Sequence, residues 1–272
     1  MILKNKYFVI IYFLIINVLC LILINISKEE VSLEVNSYSA DSLIVYDNKL
    51  DEIIDGYNID KVKAPASLTK VLTAIIALEN INLDNYYLMS LKDVNIEGSS
   101  IYLHENDFVY GYDLVYGLLL RSGNDCATAL ANIYGYDDFI KLMNKKCSDL
   151  GLTNSKFINP TGLDGNFTTA YDLAVIYDYC LENKIFRKII ETKKHTIKLA
   201  DRNLYLVNKH KLVMFEEQAI SGKTGYLKSS GRTLVTYYEY KNKSCIIVTL
   251  NCGDDWSIHS NLARKYLSIK NE

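Results

Sequence analysis

Ser67 and Lys70 stand three positions apart in Pro65-Ala66-Ser67-Leu68-Thr69-Lys70, just before the apolar run Val71 to Leu78. On a helix, that spacing puts both side chains on one face and within reach of each other. A serine hydroxyl holds its proton far above neutral pH, which makes it a weak nucleophile. A lysine whose ammonium form is disfavoured by burial or by a neighbouring cation can take that proton. The pair therefore offers nucleophilic acyl transfer. Taken alone, the tetrad fits an ordinary helix start equally well, with Ser67 as the N-cap.

Two further motifs extend the argument. Ser122-Gly123-Asn124 falls between the helical stretches Tyr112 to Leu120 and Asp125 to Tyr134, where it also reads as a turn with a cap. Lys223-Thr224-Gly225 falls in a predicted strand, Ala219 to Tyr226, where it also reads as a polar strand face. Three-residue patterns recur freely, so the weight lies in their order. A serine–lysine tetrad opens a helix, a serine–asparagine pair sits between helices, and Lys-Thr-Gly lies on a strand before a final strand pair and helix.

The elements that must position these groups follow from the pattern. Ser42 to Tyr46 and Leu50 to Ile54 predict a hairpin turning at Asp47-Asn48. Ile81 to Glu105 reads as loop with short strands. Tyr136 to Leu150 predicts a helix closed by Gly151. After a loop from Leu152 to Phe167, Thr168 reads as the N-cap of a helix running to about Leu181, with a short helix from Lys184 to Glu191. Strands follow at His195 to Leu199, Leu204 to Val207, Ala219 to Tyr226, Arg232 to Tyr240 and Ser244 to Leu250, then a helix from Trp256 to Ser268. No repeat, low-complexity linker or composition break interrupts the chain after residue 40. The pattern predicts one α/β (α+β) domain over residues 38–270. Strands from both chain ends form an antiparallel five-stranded sheet, and the middle of the chain supplies flanking helices.

Composition bounds the function. With 49% hydrophobic residues and a formal net charge of −2, the chain can build a core and offers no basic excess for nucleic acid. The 22 tyrosines point to no function. Lys4 and Lys6 precede the apolar run Tyr7 to Ile24, which suits a transmembrane helix with a cytoplasmic N-terminus. A cleaved signal peptide is the competing reading for residues 1–30, although no small-x-small site follows Ile24 closely. Either reading exports the remainder. The six cysteines match no metal-ligand spacing, and those at 126, 147 and 180 lie in apolar surroundings, so free buried thiols are expected.

Taken together, these motifs resemble the penicilloyl-serine transferases, and within them the serine D-alanyl-D-alanine carboxypeptidases of the peptidase S11 family, the low-molecular-mass penicillin-binding proteins. The stretches that carry the resemblance are Ala64 to Lys70, Leu118 to Asp125, Asn159 to Asp164 with Thr169 to Asp172, and Gly222 to Tyr226. The resemblance implies a β-lactamase/transpeptidase-like fold, with Ser67 as nucleophile and Lys70 as its base. Ser122 would relay a proton to the departing amine, and Asn124 would hold Lys70 and the substrate amide. Lys223 and Thr224 would take a substrate carboxylate, and Gly225 would let a peptide lie against the strand edge. The backbone N–H groups of Ser67 and Tyr226 would form the oxyanion hole.

The implied substrate is a peptidoglycan stem peptide ending in D-Ala-D-Ala, with β-lactams as covalent inhibitors and neither metal nor organic cofactor. The implied location is the cell membrane, with one N-terminal span and the catalytic domain outside, or secretion if a signal segment is cleaved. The chain departs from the family where Cys126 replaces an expected alanine, which reads as core packing, and where His104 to Asp107 replaces a glycine turn. Family members often carry a second β-rich domain and a terminal amphipathic helix; here the N-terminal span is expected to anchor instead.

Rival functions share the motifs. A class A β-lactamase needs a glutamate to activate the deacylating water, yet none lies between Glu105 and Glu182. A non-hydrolytic penicillin-binding sensor or scaffold of the same fold is a second rival. A transpeptidase, with an amine in place of water as acyl acceptor, is a third.

Overall fold

A computed structural model describes residues 39–269. The expected membrane span Tyr7 to Ile24, and Cys20 within it, lie outside the described residues. Among those described, no helix is long and apolar enough to cross a membrane.

The chain opens with a hairpin, β1 (Ala40–Asp47) and β2 (Glu52–Tyr57). A 3-10 turn over Ala66–Leu68 then runs into α1 (Thr69–Asn80). The short strand β3 (Tyr86–Leu88), the one-turn helix α2 (Leu91–Val94) and the strand β4 (Phe108–Tyr110) come next. Three helices follow: α3 (Gly111–Arg121), α4 (Asn124–Tyr134) and α5 (Tyr136–Asp149). A long loop leads to α6 (Ala170–Glu182) and α7 (Lys184–Ile190). A second hairpin, β5 (Lys194–Lys198) and β6 (Asn203–Val207), precedes the short helix α8 (Lys211–Phe215). The chain closes with β7 (Ala219–Leu227), β8 (Gly231–Tyr240), β9 (Lys243–Cys252) and α9 (Asp255–Leu267).

The main sheet has the order β2-β1-β9-β8-β7, antiparallel throughout, so strands from both chain ends meet in it as expected. Its central strand β9 is buried from Ser244 to Leu250 on both faces. That explains the continuous Cys-Ile-Ile-Val-Thr-Leu run where a half-exposed strand would alternate. Alternate residues mark the two layers. Thr236 and Thr249 meet His259 of α9 on one face, while Val235 and Val248 join the main apolar core with α1 and α6 on the other. Helix α1 is buried from Thr69 to Ala77, apolar nearly all round, and so lies inside the helical layer. Any polar group near its start is thereby taken out of water.

Several expectations need correction. The cap of α6 is Thr169, whose Oγ1 accepts from Asp172 N–H at 3.0 Å. Thr168 instead pairs its backbone with Lys63. Ser67 lies on the 3-10 turn ahead of α1, outside the helix proper. The β5–β6 hairpin stays apart from the main sheet and docks on α3, where His195 stacks on Tyr116 at 3.7 Å and its Nε2 lies 2.6 Å from Asp113 Oδ1. Elements α2, β4 and α8 are each too short to show a period in sequence. The five described cysteines are free and buried, as expected.

Candidate active site

Ser67 is presented by a tight piece of backbone. Pro65 starts the 3-10 turn, and Ala66 holds φ +50°, a left-handed value uncommon for a residue with a Cβ. The loop from Asn159 to Asp164 closes against it. Gly162, at φ +82°, approaches so closely that a Cβ there would lie 1.9 Å from Ala66 O. Asn159 Oδ1 shapes the loop by accepting from Thr161 N–H at 3.2 Å and Gly162 N–H at 2.9 Å. Thr73 Oγ1 pins the loop to α1 by donating to Pro160 O at 2.7 Å.

Lys70 lies one helical turn on and is fully buried. Its Nζ donates to Ser67 Oγ at 2.9 Å and also to Thr161 O. Burial first, and the positive charge of Lys209 second, bring its pKa down from 10.5 to about 7. A substantial neutral fraction therefore exists at physiological pH, positioned to take the Ser67 proton.

The second pair comes from elements far apart in sequence. Ser122 caps the C-terminal end of α3 in the left-handed conformation, φ +63°, and α4 starts at Asn124, directly after Gly123. Lys223 Nζ, projecting from β7, donates to Ser122 Oγ at 2.9 Å and to Thr224 O at 2.7 Å. Lys223 is only 2% exposed, and burial, with Lys70 and Lys209 nearby, holds its pKa well below the usual lysine range. Serine–lysine contacts thus occur twice. Cys126 is buried, with its thiol pKa pushed well up by burial and by Asp125, as a packing residue would be.

Two details differ from the expected roles. Asn124 Nδ2 donates to Glu97 O at 2.7 Å, and it is Thr161 O that holds Lys70. Lys223 faces inward to Ser122, so it does not present its amine to the open pocket. That pocket, of about 500 Å³, is bordered instead by Ser67, Ser122, Thr224, Gly225 and Tyr226, with Lys209 and Arg232 as its cations. A larger depression of about 790 Å³ beside α8 and α9 contains none of these groups.

Lys209 and Arg232 belong to no motif, and nothing in the flanking sequence marks them as site residues. Lys209 follows the docked β5–β6 hairpin; its N–H bonds Leu120 O at 3.0 Å and its Nζ lies 3.2 Å from Ser99 Oγ. Arg232 pairs across the sheet with Tyr226 and is held by Asp255 in a two-pronged contact, Nη2 to Oδ1 at 2.6 Å and Nε to Oδ2 at 3.1 Å. Gly225 is needed for close approach: a Cβ there would lie 2.3 Å from Thr233 Oγ1 and 3.0 Å from Ser67 N. Tyr226, next along β7, borders the same pocket as Ser67. Among the described residues, no group of three or more His, Cys, Asp or Glu side chains is arranged to hold a metal ion.

Comparison with known proteins agrees with this geometry. The profile of the peptidase S11 family, described as D-alanyl-D-alanine carboxypeptidase, matches residues 28–253. The D-alanyl-D-alanine carboxypeptidase DacF of Bacillus subtilis is 28% identical over 80% of this chain, which spans 58% of that relative's length. DacB2 of Mycobacterium tuberculosis, also named a D-alanyl-D-alanine carboxypeptidase, is 31% identical over 72% of this chain and 69% of its own. Among solved structures, a mutant of the Streptomyces K15 DD-transpeptidase superposes with a TM-score of 0.80 at 27% identity, covering 85% of this chain and 99% of that one. With Ser67, Ser122, Thr224 and Gly225 bordering one cleft and Lys70 and Lys223 bonded to its two serines, the chain belongs to the peptidase S11 family of D-alanyl-D-alanine carboxypeptidases.

Proposed function

We propose that this chain is a serine D-alanyl-D-alanine carboxypeptidase that removes the terminal D-alanine from peptidoglycan stem peptides and is acylated by penicillin. The observation that carries the proposal is the 2.9 Å contact between Lys70 Nζ and Ser67 Oγ, with Lys70 buried and near neutrality. Neutral Lys70 takes the hydroxyl proton as Ser67 Oγ bonds to the carbonyl carbon of the penultimate D-alanine. The N–H groups of Ser67 and Tyr226 hold the developing oxyanion. The C–N bond to the terminal residue breaks, and its nitrogen receives a proton through Ser122, which Lys223 holds. Water then adds to the ester, returning Ser67 and releasing the shortened peptide. The substrate carboxylate is taken by the Thr224 hydroxyl, with Lys209 and Arg232 supplying the positive charge at the pocket. Gly225 lines the path of the peptide, which adds along the β7 edge, and Asn124 braces the neighbouring loop through Glu97 O.

In this reading residues 38–270 form the catalytic domain outside the membrane. Residues 1–30 are its anchor, or a signal segment if cleaved. Intact-mass measurement after penicillin treatment tests the chemistry. The wild type should gain one adduct and Ser67→Ala none; a wild type without adduct refutes the assignment. Rapid loss of the adduct would favour a β-lactamase, and release of D-alanine from a D-Ala-D-Ala peptide separates an enzyme from a sensor.

A further inference from the structure

Lys209, one of the two cations at the pocket, lies between β6 and α8 in a stretch that belongs to no strand or helix. The residue after it, His210, is anchored at each of its polar atoms. Its N–H donates to Asn208 Oδ1 at 2.9 Å, and its carbonyl accepts from Met214 N–H at 3.1 Å. Its Nδ1 accepts from Val213 N–H at 3.3 Å, which caps α8. A backbone amide can only donate, so the proton of the neutral ring sits on Nε2. That nitrogen lies 3.1 Å from Val235 O and 3.1 Å from Thr236 Oγ1, both on β8. With Nε2–H donating there, the Thr236 hydroxyl donates to His259 Nδ1 at 2.8 Å, and His259 Nε2–H donates to Thr249 Oγ1 at 3.0 Å. The proton direction is thereby set along a buried line from α8 through β8 to α9 and β9.

Packing closes around the same ring. A Cβ on Gly222 would lie 2.4 Å from His210 Nε2, so the imidazole rests on the backbone directly before Lys223. Trp256, which lines the pocket, meets the imidazole edge to face at 5.1 Å. It also carries the Arg232 guanidinium over its own face at 5.6 Å. His210 itself does not border the pocket and is only 1% exposed. Burial brings its pKa from 6.5 down to about 3, and nearby Lys223 acts in the same direction. The ring is therefore neutral at physiological pH, and its hydrogen bonds stay intact.

We infer, on the carboxypeptidase reading above, that His210 is a positioning residue whose anchored ring holds Lys209 where the Lys209 charge acts on Lys70. The charged and titratable groups acting on Lys70 are Lys209, Lys223 on β7, and Asp125 with the Cys126 thiol on α4. Lys223 is held separately, by Ser122 Oγ and Thr224 O. Only Lys209 lies on the segment that His210 anchors.

The second-order rate of penicillin acylation of the full chain, taken at pH 6 and pH 9, tests this in His210→Leu and His210→Gln. Leucine fills the place of the ring without a polar atom, whereas the glutamine amide keeps a donor for Val235 O. A Lys209 displaced by a few ångströms lets the Lys70 inflection rise by about half a pH unit. The ratio of the pH 6 rate to the pH 9 rate should then fall about threefold in His210→Leu. His210→Gln should keep the wild-type ratio, and Lys209→Ala combined with His210→Leu should match Lys209→Ala alone. A ring that only supports the fold slows both rates alike; an unchanged ratio in His210→Leu overturns the inference. Imidazole nitrogen-15 spectra of the wild type supply a measurement that depends on no variant folding. Two of the four histidines should each keep a single proton, on Nε2, down to pH 5, and fewer than two such rings overturns the anchoring. A wild type without adduct at either pH refutes the carboxypeptidase reading instead, a different result from an adduct whose ratio does not move.

Discussion

Acidification should switch off acylation of Ser67 through one group, Lys70. The lysine is fully buried, and burial with the charge of Lys209 brings its pKa from 10.5 to about 7. On that value about nine-tenths of Lys70 is neutral at pH 8 and about one-hundredth at pH 5, so the second-order rate of penicillin acylation should drop by about 90-fold between them. The assay is the rate of adduct formation, followed by mass from pH 5 to 9.5. The expected profile climbs tenfold per pH unit at the acid end and levels off above about 8. A flat profile from pH 5 to 8 would mean that Lys70 is not the base. A rate still climbing tenfold per unit above pH 9 would mean an ordinary lysine, and the burial argument would be wrong. Lys209→Ala supplies a control, because removing a like charge favours the ammonium form and should move the inflection upward. A Lys209 that merely braces the loop would leave the inflection in place.

The same burial has a stability consequence. The folded-state pKa of Lys70 is depressed, so between about pH 7 and the ordinary lysine range the unfolded chain binds a proton that the folded chain has shed. Stability therefore rises with pH across that window, and the full cost, about 5 kcal/mol as an upper figure, is present below about pH 7. Lys70→Met should gain about 2–4 kcal/mol at pH 6 and progressively less towards pH 10, as read by urea unfolding, while losing acylation nearly as completely as Ser67→Ala. Gly162→Ala places a Cβ 1.9 Å from Ala66 O at a positive φ; it should cost at least about 2 kcal/mol in thermal unfolding and slow penicillin acylation. Asp125 is buried and accepts from Ser100 Oγ at 2.6 Å and from Ile101 N–H at 3.0 Å. Asp125→Ala leaves that N–H without its acceptor and should cost about 2–4 kcal/mol by denaturant titration, with Asp125→Asn costing less.

Local chemistry was legible in the sequence because it depends on local spacing. Ser67 and Lys70 are one helical turn apart, and their 2.9 Å contact needs little more than that turn. Strand β9 could be read from its apolar run and the free thiols from their apolar neighbours, while the central position of β9 came from the fold. Helices α2 and α8 and strand β4 were not legible, because one turn or three residues set no period. What only tertiary structure decided is where charge sits. Lys223 and Lys209 are both lysines in or beside strands, yet one is sealed against Ser122 and the other borders the pocket. The Lys-Thr-Gly motif marks Lys223, but nothing in the flanking residues says which of the two is sealed and which borders the pocket. The resemblance put Lys223 at a substrate carboxylate and Asn124 against Lys70; the fold set Lys223 against Ser122, aimed Asn124 at Glu97 and gave Lys70 to a loop carbonyl, Thr161 O. Arg232 reached the pocket only because β8 pairs it with Tyr226. A residue's spacing is written along the chain, but its desolvation depends on which distant segments pack over it. Burial and neighbouring charge bring the pKa of Lys70 down to about 7, and both are properties of the assembled fold.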